Sequence, residues 1–200
     1  MEHAIGRVPR HTAPMSPLRD RLRAGTRVEH ERIERALGFT PESLTLAAYH
    51  GYLRRMHSFH AATEPALLAA RHAHPPGLAL EARVKTPWLA EDLRHFGLEP
   101  LAPPTWEAPG FTPATLLGTA YVLEGATLGG RVLLGRVAQR WNLDRGRGAS
   151  YLAGYGARTG PMWAEFVGVL HDTRLSAAEE EACVAAARDT FARLEAWFAA

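Results

Sequence analysis

Apolar residues recur along this chain at spacings of three and four, and no stretch of any length alternates with the two-residue period of a strand. The pattern predicts an all-α fold. From Ser16 to Leu37, the residues Leu18, Leu22, Thr26, Ile33 and Leu37 fall on one helical stripe. Ser16 followed by Pro17 is an N-cap with proline at the first helical position, and Gly38 ends the segment. A second helix, opening at Thr40-Pro41-Glu42, carries Leu44, Ala48, Tyr52, Met56, Phe59 and Thr63 and continues past Pro65. A third helical region follows Pro75-Pro76-Gly77, with a break or restart at Pro87. Residues 99–112 hold Pro100, Pro103, Pro104 and Pro109 and read as an extended surface connection. The fourth helix is expected from Pro113 to about Trp141. A helix interrupted near Gly154, Gly156 and Gly160-Pro161 comes next. The last one starts at the capping box Ser176 to Glu179, with Cys183, Val184, Ala187, Thr190, Phe191, Leu194 and Phe198 on its apolar side. Residues 1–15 lack periodicity and are expected to form a disordered tail, leaving 16–200 as one helical domain.

Composition narrows the classes. Two hundred residues suffice for one domain with its own core. The single cysteine, Cys183, excludes an internal disulfide and reads as a buried small hydrophobe. The first residues, MEHAIGRVPRHTAPM, lack the apolar run of a secretory signal, and nowhere do 18 apolar residues follow one another. A soluble cytoplasmic protein without a membrane partner is therefore expected. The formal charge is +2, arginine supplies nearly all of the basic side, and lysine occurs once, at Lys85. No basic run interleaved with aromatics argues for nucleic acid, whereas an acidic protein partner stays open.

Two places carry candidate chemistry. His30 lies on the stripe of the first helix, four residues after Thr26 and three before Ile33. A buried imidazole left unpaired costs roughly 1–3 kcal/mol, so it is either a hydrogen-bonded core histidine or a metal ligand. Arg23 lies two turns earlier, about 10 Å along the axis, where it suits an anionic edge of whatever His30 binds. His50, His57 and His60 lie on the second helix without a cysteine cluster beside them, and read as surface or hydrogen-bonded histidines. The fourth helix contains Gly118, Gly125, Gly129, Gly130 and Gly135, although each interior glycine costs about 1 kcal/mol relative to alanine. Such glycines admit either another helix or something flat against the backbone.

Five segments in order, LRAGTRVEHERIE, RVKTPWLAEDLRHFGL, YVLEGATLGG, YGARTGPMW and TFARLEAWF, carry a family resemblance over about residues 17–199. The chain resembles the heme oxygenases, most closely the bacterial branch that supplies biliverdin to bacteriophytochromes. The resemblance implies a helical bundle binding heme b without a covalent link, in keeping with the lack of a C-x-x-C-H sequence. It implies His30 as the proximal iron ligand and the backbone of Gly125, Gly129 and Gly130 on the opposite, distal face. It further implies Arg23, Thr26, Ala126 and Arg158 as residues that line or hold the heme, the arginines against its propionates. Heme would be substrate and cofactor together, opened to biliverdin with release of CO and ferrous iron. Electrons would come from a ferredoxin, flavodoxin or reductase, and a bacteriophytochrome would accept the product. One departure is Ala126, where many family members have an aspartate that organises distal water. Glu124 points about 100° away and reads as structural. A heme-storage protein on the same scaffold is the alternative. A di-iron carboxylate bundle is excluded by the lack of any Glu-x-x-His pair.

Overall fold

In a computed structural model that describes residues 16–40, 43–105 and 110–199, the order of helices is α1 (Pro17–Gly25), α2 (Arg27–Leu37), α3 (Leu46–Ala69), α4 (Thr86–His95), α5 (Pro113–Trp141), α6 (Ser150–Ala153), α7 (Thr159–Asp172) and α8 (Ala177–Ala199). Among the described residues there is no strand, only isolated bridge pairs around Asp144, and no helix is long and apolar enough to cross a membrane. The expected tail, residues 1–15, lies outside the described residues.

Most boundaries follow the local signals. Ser16 accepts the Arg19 N–H as the N-cap of α1, and Thr112 caps α5 with proline in the first turn behind it. Ser176 and Glu179 form the reciprocal capping box of α8, Glu179 accepting the Ser176 N–H at 2.7 Å. Pro65 leaves α3 unbroken.

Three expectations are corrected. The single helix over 16–37 is two helices, because Thr26 leaves helical geometry (φ −111°, ψ 9°). Its hydroxyl donates to the Leu22 carbonyl at 2.8 Å, the threonine back-bond that bends helices. The second helix starts at Leu46 with Thr45 as its N-cap, not at Thr40. Thr40 instead makes a closed turn with Ser43, while residues 41 and 42 lie outside the described set. At Pro87, read as a break or restart, the structure has the restart: it opens α4, since a first-turn N–H has no intrahelical acceptor to lose. The interruption before α7 falls at Gly154 and Gly156, both at positive φ, while Gly160 and Pro161 lie in its first turn.

The core forms around α5 and α8, and α2 also packs on α8. The α5/α8 approach is close because Gly118 has no side chain. A Cβ there would run into the Cys183 carbonyl oxygen and stand 3.1 Å from the Ala186 Cβ.

Two buried carboxylates hold helix starts that are remote in sequence. Asp92 on α4 accepts the Ser150 and Tyr151 N–H groups at 2.7 and 2.9 Å, capping α6. Glu64 on α3 accepts the Lys85 N–H at 2.7 Å, the Thr86 N–H at 3.1 Å and the Thr86 hydroxyl at 2.6 Å, capping α4, with His60 Nδ1 at 2.8 Å. Burial alone would push the Glu64 carboxyl up, but His60, Thr86 and the Lys85 N–H outweigh it and hold its pKa at about 2, against an ordinary 4.5. Its contribution is therefore complete above about pH 4.5 and is lost as the pH falls toward 2. Glu64→Gln is expected to cost about 2 kcal/mol at pH 7. In urea unfolding at pH 7 and pH 3, the wild type should lose more stability on acidification than the variant does.

Candidate functional site

Helices α2 and α5 both lie on α8 and are tied to one another near two points. At one, the Tyr121 hydroxyl of α5 meets the Thr26 hydroxyl and faces the Arg19 and Arg23 guanidiniums. Burial pushes the pKa of Tyr121 up, and these three neighbours pull it the other way. At the other, Arg136 of α5 donates to the Phe39 carbonyl just beyond the end of α2. Between the ties an open strip, a slot, runs along the Gly125 and Gly129 face of α5. At 100° per residue, Gly125, Gly129, Val132 and Arg136 fall within an arc of about 60° on α5. A Cβ built on Gly125 or Gly129 would meet nothing within 4 Å. Exposed apolar side chains stand on both helices, Val28 on α2 at 52% and Leu128 and Val132 on α5 at 42% and 68%.

In ligand-free protein an alanine at Gly125 or Gly129 would gain helix propensity and meet no atom, so nothing in the chain itself explains glycine there. A flat group seated against bare backbone does. The residues present fit a macrocycle with an apolar body, an iron and anionic edges.

His30 stands on α2 with its side chain 58% exposed, so it is not a packed core histidine. Its ring meets Phe191 of α8 edge-on, centroids 5.9 Å apart. Glu34 Oε1, one turn on, lies 3.5 Å from Nδ1. A carboxylate on that side, once it closes on Nδ1, would orient the ring and leave Nε2 free, the usual outer-shell arrangement of a metal-bound imidazole. Nε2 has no hydrogen bond among the described residues. No cluster of three or more His, Cys, Asp or Glu able to hold a metal occurs among them either.

Not every expected residue comes to this slot. Arg23 is exposed beside Tyr121, at the end of the slot where Gly125 lies one turn along α5. Thr26 is buried at the bend, and Ala126 is half-buried. Gly130 is a packing glycine instead, its added Cβ standing 3.5 Å from Leu152 Cδ2 on α6. Arg158 is turned to Glu165 at 3.3 Å and Met162 Sδ at 3.6 Å, and no contact brings it to Arg23 or Tyr121. His60, expected at the surface or hydrogen-bonded, is fully buried between Glu64 and Tyr151. Glu34 and Tyr121 were missed by sequence reasoning, although spacing offered a signal for each. Glu34 is four residues after His30, and Tyr121 is four before Gly125.

Behind α5 sits a buried charge cluster. Glu124 receives Arg83 Nη1 at 2.6 Å, Lys85 Nζ and the Tyr155 hydroxyl at 2.9 Å. Burial lowers the Lys85 pKa and Glu124 opposes that shift, while burial and Glu124 together raise that of Tyr155.

A family model described as heme oxygenase matches residues 16–200. Among solved structures, the NO- and CO-bound heme oxygenase from Neisseria meningitidis superposes with a TM-score of 0.77 at 24% identity, covering 90% of this chain and 89% of that one. A heme oxygenase from Leptospira interrogans superposes with a TM-score of 0.72 at 20% identity, covering 92% of this chain and 98% of that one. No curated protein sequence matches.

Proposed function

The chain belongs to the heme oxygenase family, and from that premise we propose that it oxidatively opens heme to biliverdin, CO and ferrous iron. The observation that carries this reading is the open face of Gly125 and Gly129 on α5, paired with an exposed imidazole on α2. In this reading Nε2 of His30 holds the iron, with Glu34 orienting the ring from Nδ1. Arg23 and Tyr121 take the propionate edge at their end of the slot. Phe191 and the apolar rim of Val28, Leu128 and Val132 cover the macrocycle and exclude water. Heme supplies both the iron that engages dioxygen and the meso edge that is oxidised, with electrons from a ferredoxin, flavodoxin or reductase.

The α5 backbone does two things for that chemistry. Gly125 and Gly129 leave room against the α5 backbone for a bound heme, and the helix there would limit the space open to a small ligand of its iron. Ala126 carries no acid, so proton delivery on this side falls to ordered water and backbone. In this proposal a bacteriophytochrome accepts the biliverdin, a role supported only by the sequence segments that resemble that branch.

Hemin titration followed by a reductant in air tests this. A 1:1 complex with a sharp Soret band that bleaches on reduction, yielding biliverdin, is expected. A stable Soret band under the same conditions would identify a heme-storage protein, the reading that Ala126 favours. No complex at all would remove the heme reading of the slot.

A further inference from the structure

The stretch of α5 that faces the slot has nothing against its open side, so its position is set from behind. Three residues at three-residue spacing make that rear contact. The Thr127 methyl lies against Gly154, where an added Cβ would stand 2.6 Å from it, and Gly130 meets Leu152. The third is Glu124, directly before Gly125, and it is the only charged one. Glu124, Arg83 and Lys85 are each at most 4% exposed. Arg83 also donates to the Leu78 and Met162 carbonyls, at 2.8 and 3.1 Å, and Lys85 Nζ donates to the Arg83 carbonyl at 2.7 Å. One carboxylate thus fastens α5 to the 3-10 turn before α4, to the bend before α7 and, through Met162, to α7 itself.

Two cations share the Glu124 carboxylate, and two further acids stand by: buried Glu64, which accepts the Lys85 N–H at 2.7 Å, and half-exposed Glu165, 3.9 Å from Arg83. A buried set of this kind is commonly no better for stability than apolar packing of the same volume. Its charge-assisted bonds do something apolar packing cannot, which is to fix direction and distance. Here they act on the residue adjoining the first slot glycine.

We propose that Glu124 is a positioning residue, whose carboxylate, clamped by Arg83, Lys85 and Tyr155, holds the Gly125 to Val132 face of α5 at a set height opposite His30 before ligand arrives. The role in turnover rests on the heme reading of the slot. The positioning itself is readable without heme.

Glu124→Gln alone leaves two buried cations without their counter-ion, a change expected to unfold the chain. The double variant Glu124→Gln/Lys85→Met removes one charge of each sign, so the cluster keeps its native balance and the fold survives. Amide exchange is measured on the ligand-free protein and its double variant, then each is titrated with hemin. Amides of residues 125–136 are expected to exchange about tenfold faster while those of α3 and α8 stay as in the wild type. Hemin affinity should fall about tenfold, with a displaced Soret maximum. Unchanged exchange over 125–136 would overturn the proposal, as would acceleration spread evenly over α3, α5 and α8, the signature of a merely structural cluster. Should the wild type fail to bind hemin, the heme reading falls while the exchange result still decides the role of Glu124.

Discussion

Hemin bound to a His30→Ala variant is expected to lose its axial histidine spectrum, and turnover to biliverdin should drop by more than about 100-fold. That bound follows because partners one shell further from a metal already cost about 10–100-fold when removed. The fold should not notice. With the side chain 58% exposed and its only ring contact edge-on to Phe191, truncation removes little packing, and thermal unfolding should shift by no more than about 0.5 kcal/mol in stability. Imidazole added to the buffer should enter the vacated space and restore the ligated spectrum. A variant with wild-type spectra and yield would take the iron away from α2 and return His30 to the surface.

A different glycine controls the fold itself. Gly118→Val is expected to cost about 3 kcal/mol or more, because the obstacle is the Cys183 backbone carbonyl and not a side chain that can rotate away. Against a native stability of about 5–15 kcal/mol, that is a large share, and the variant should melt well below the wild type. Circular dichroism melts of Gly118→Val beside Gly125→Ala make the contrast. The second has open space around its new methyl and should be neutral, or stabilising by up to about 1 kcal/mol. A Gly118→Val protein that melts with the wild type would mean that α5 and α8 have slack which their contact does not show.

These two glycines illustrate what a sequence conveys. Helical periodicity and end signals located α5 from Pro113 to Trp141 and α8 behind Ser176, since caps and prolines act within a few residues. The same pattern cannot say what stands opposite a glycine. Gly118 meets α8, Gly130 meets α6, and Gly125 and Gly129 meet nothing, yet all four belong to one helix. His30 posed a similar problem, because a stripe records azimuth and not whether the neighbouring helix fills the space beside it. The bend at Thr26 was hidden because back-bonding threonines also occur in straight helices. The caps at Glu64 and Asp92 join positions 21 and 58 residues apart, beyond the reach of any local signal.

The burial of Lys85 has a practical corollary. It is the only lysine in the 200 residues and is 1% exposed, so the positive charge that the folded surface carries is guanidinium. Acylating reagents that seek a free side-chain amine find none on the native domain. Modification of Lys85 by such a reagent then requires the domain to open, which turns amine labelling followed by mass spectrometry into a site-specific clock for unfolding events around α4 and α5.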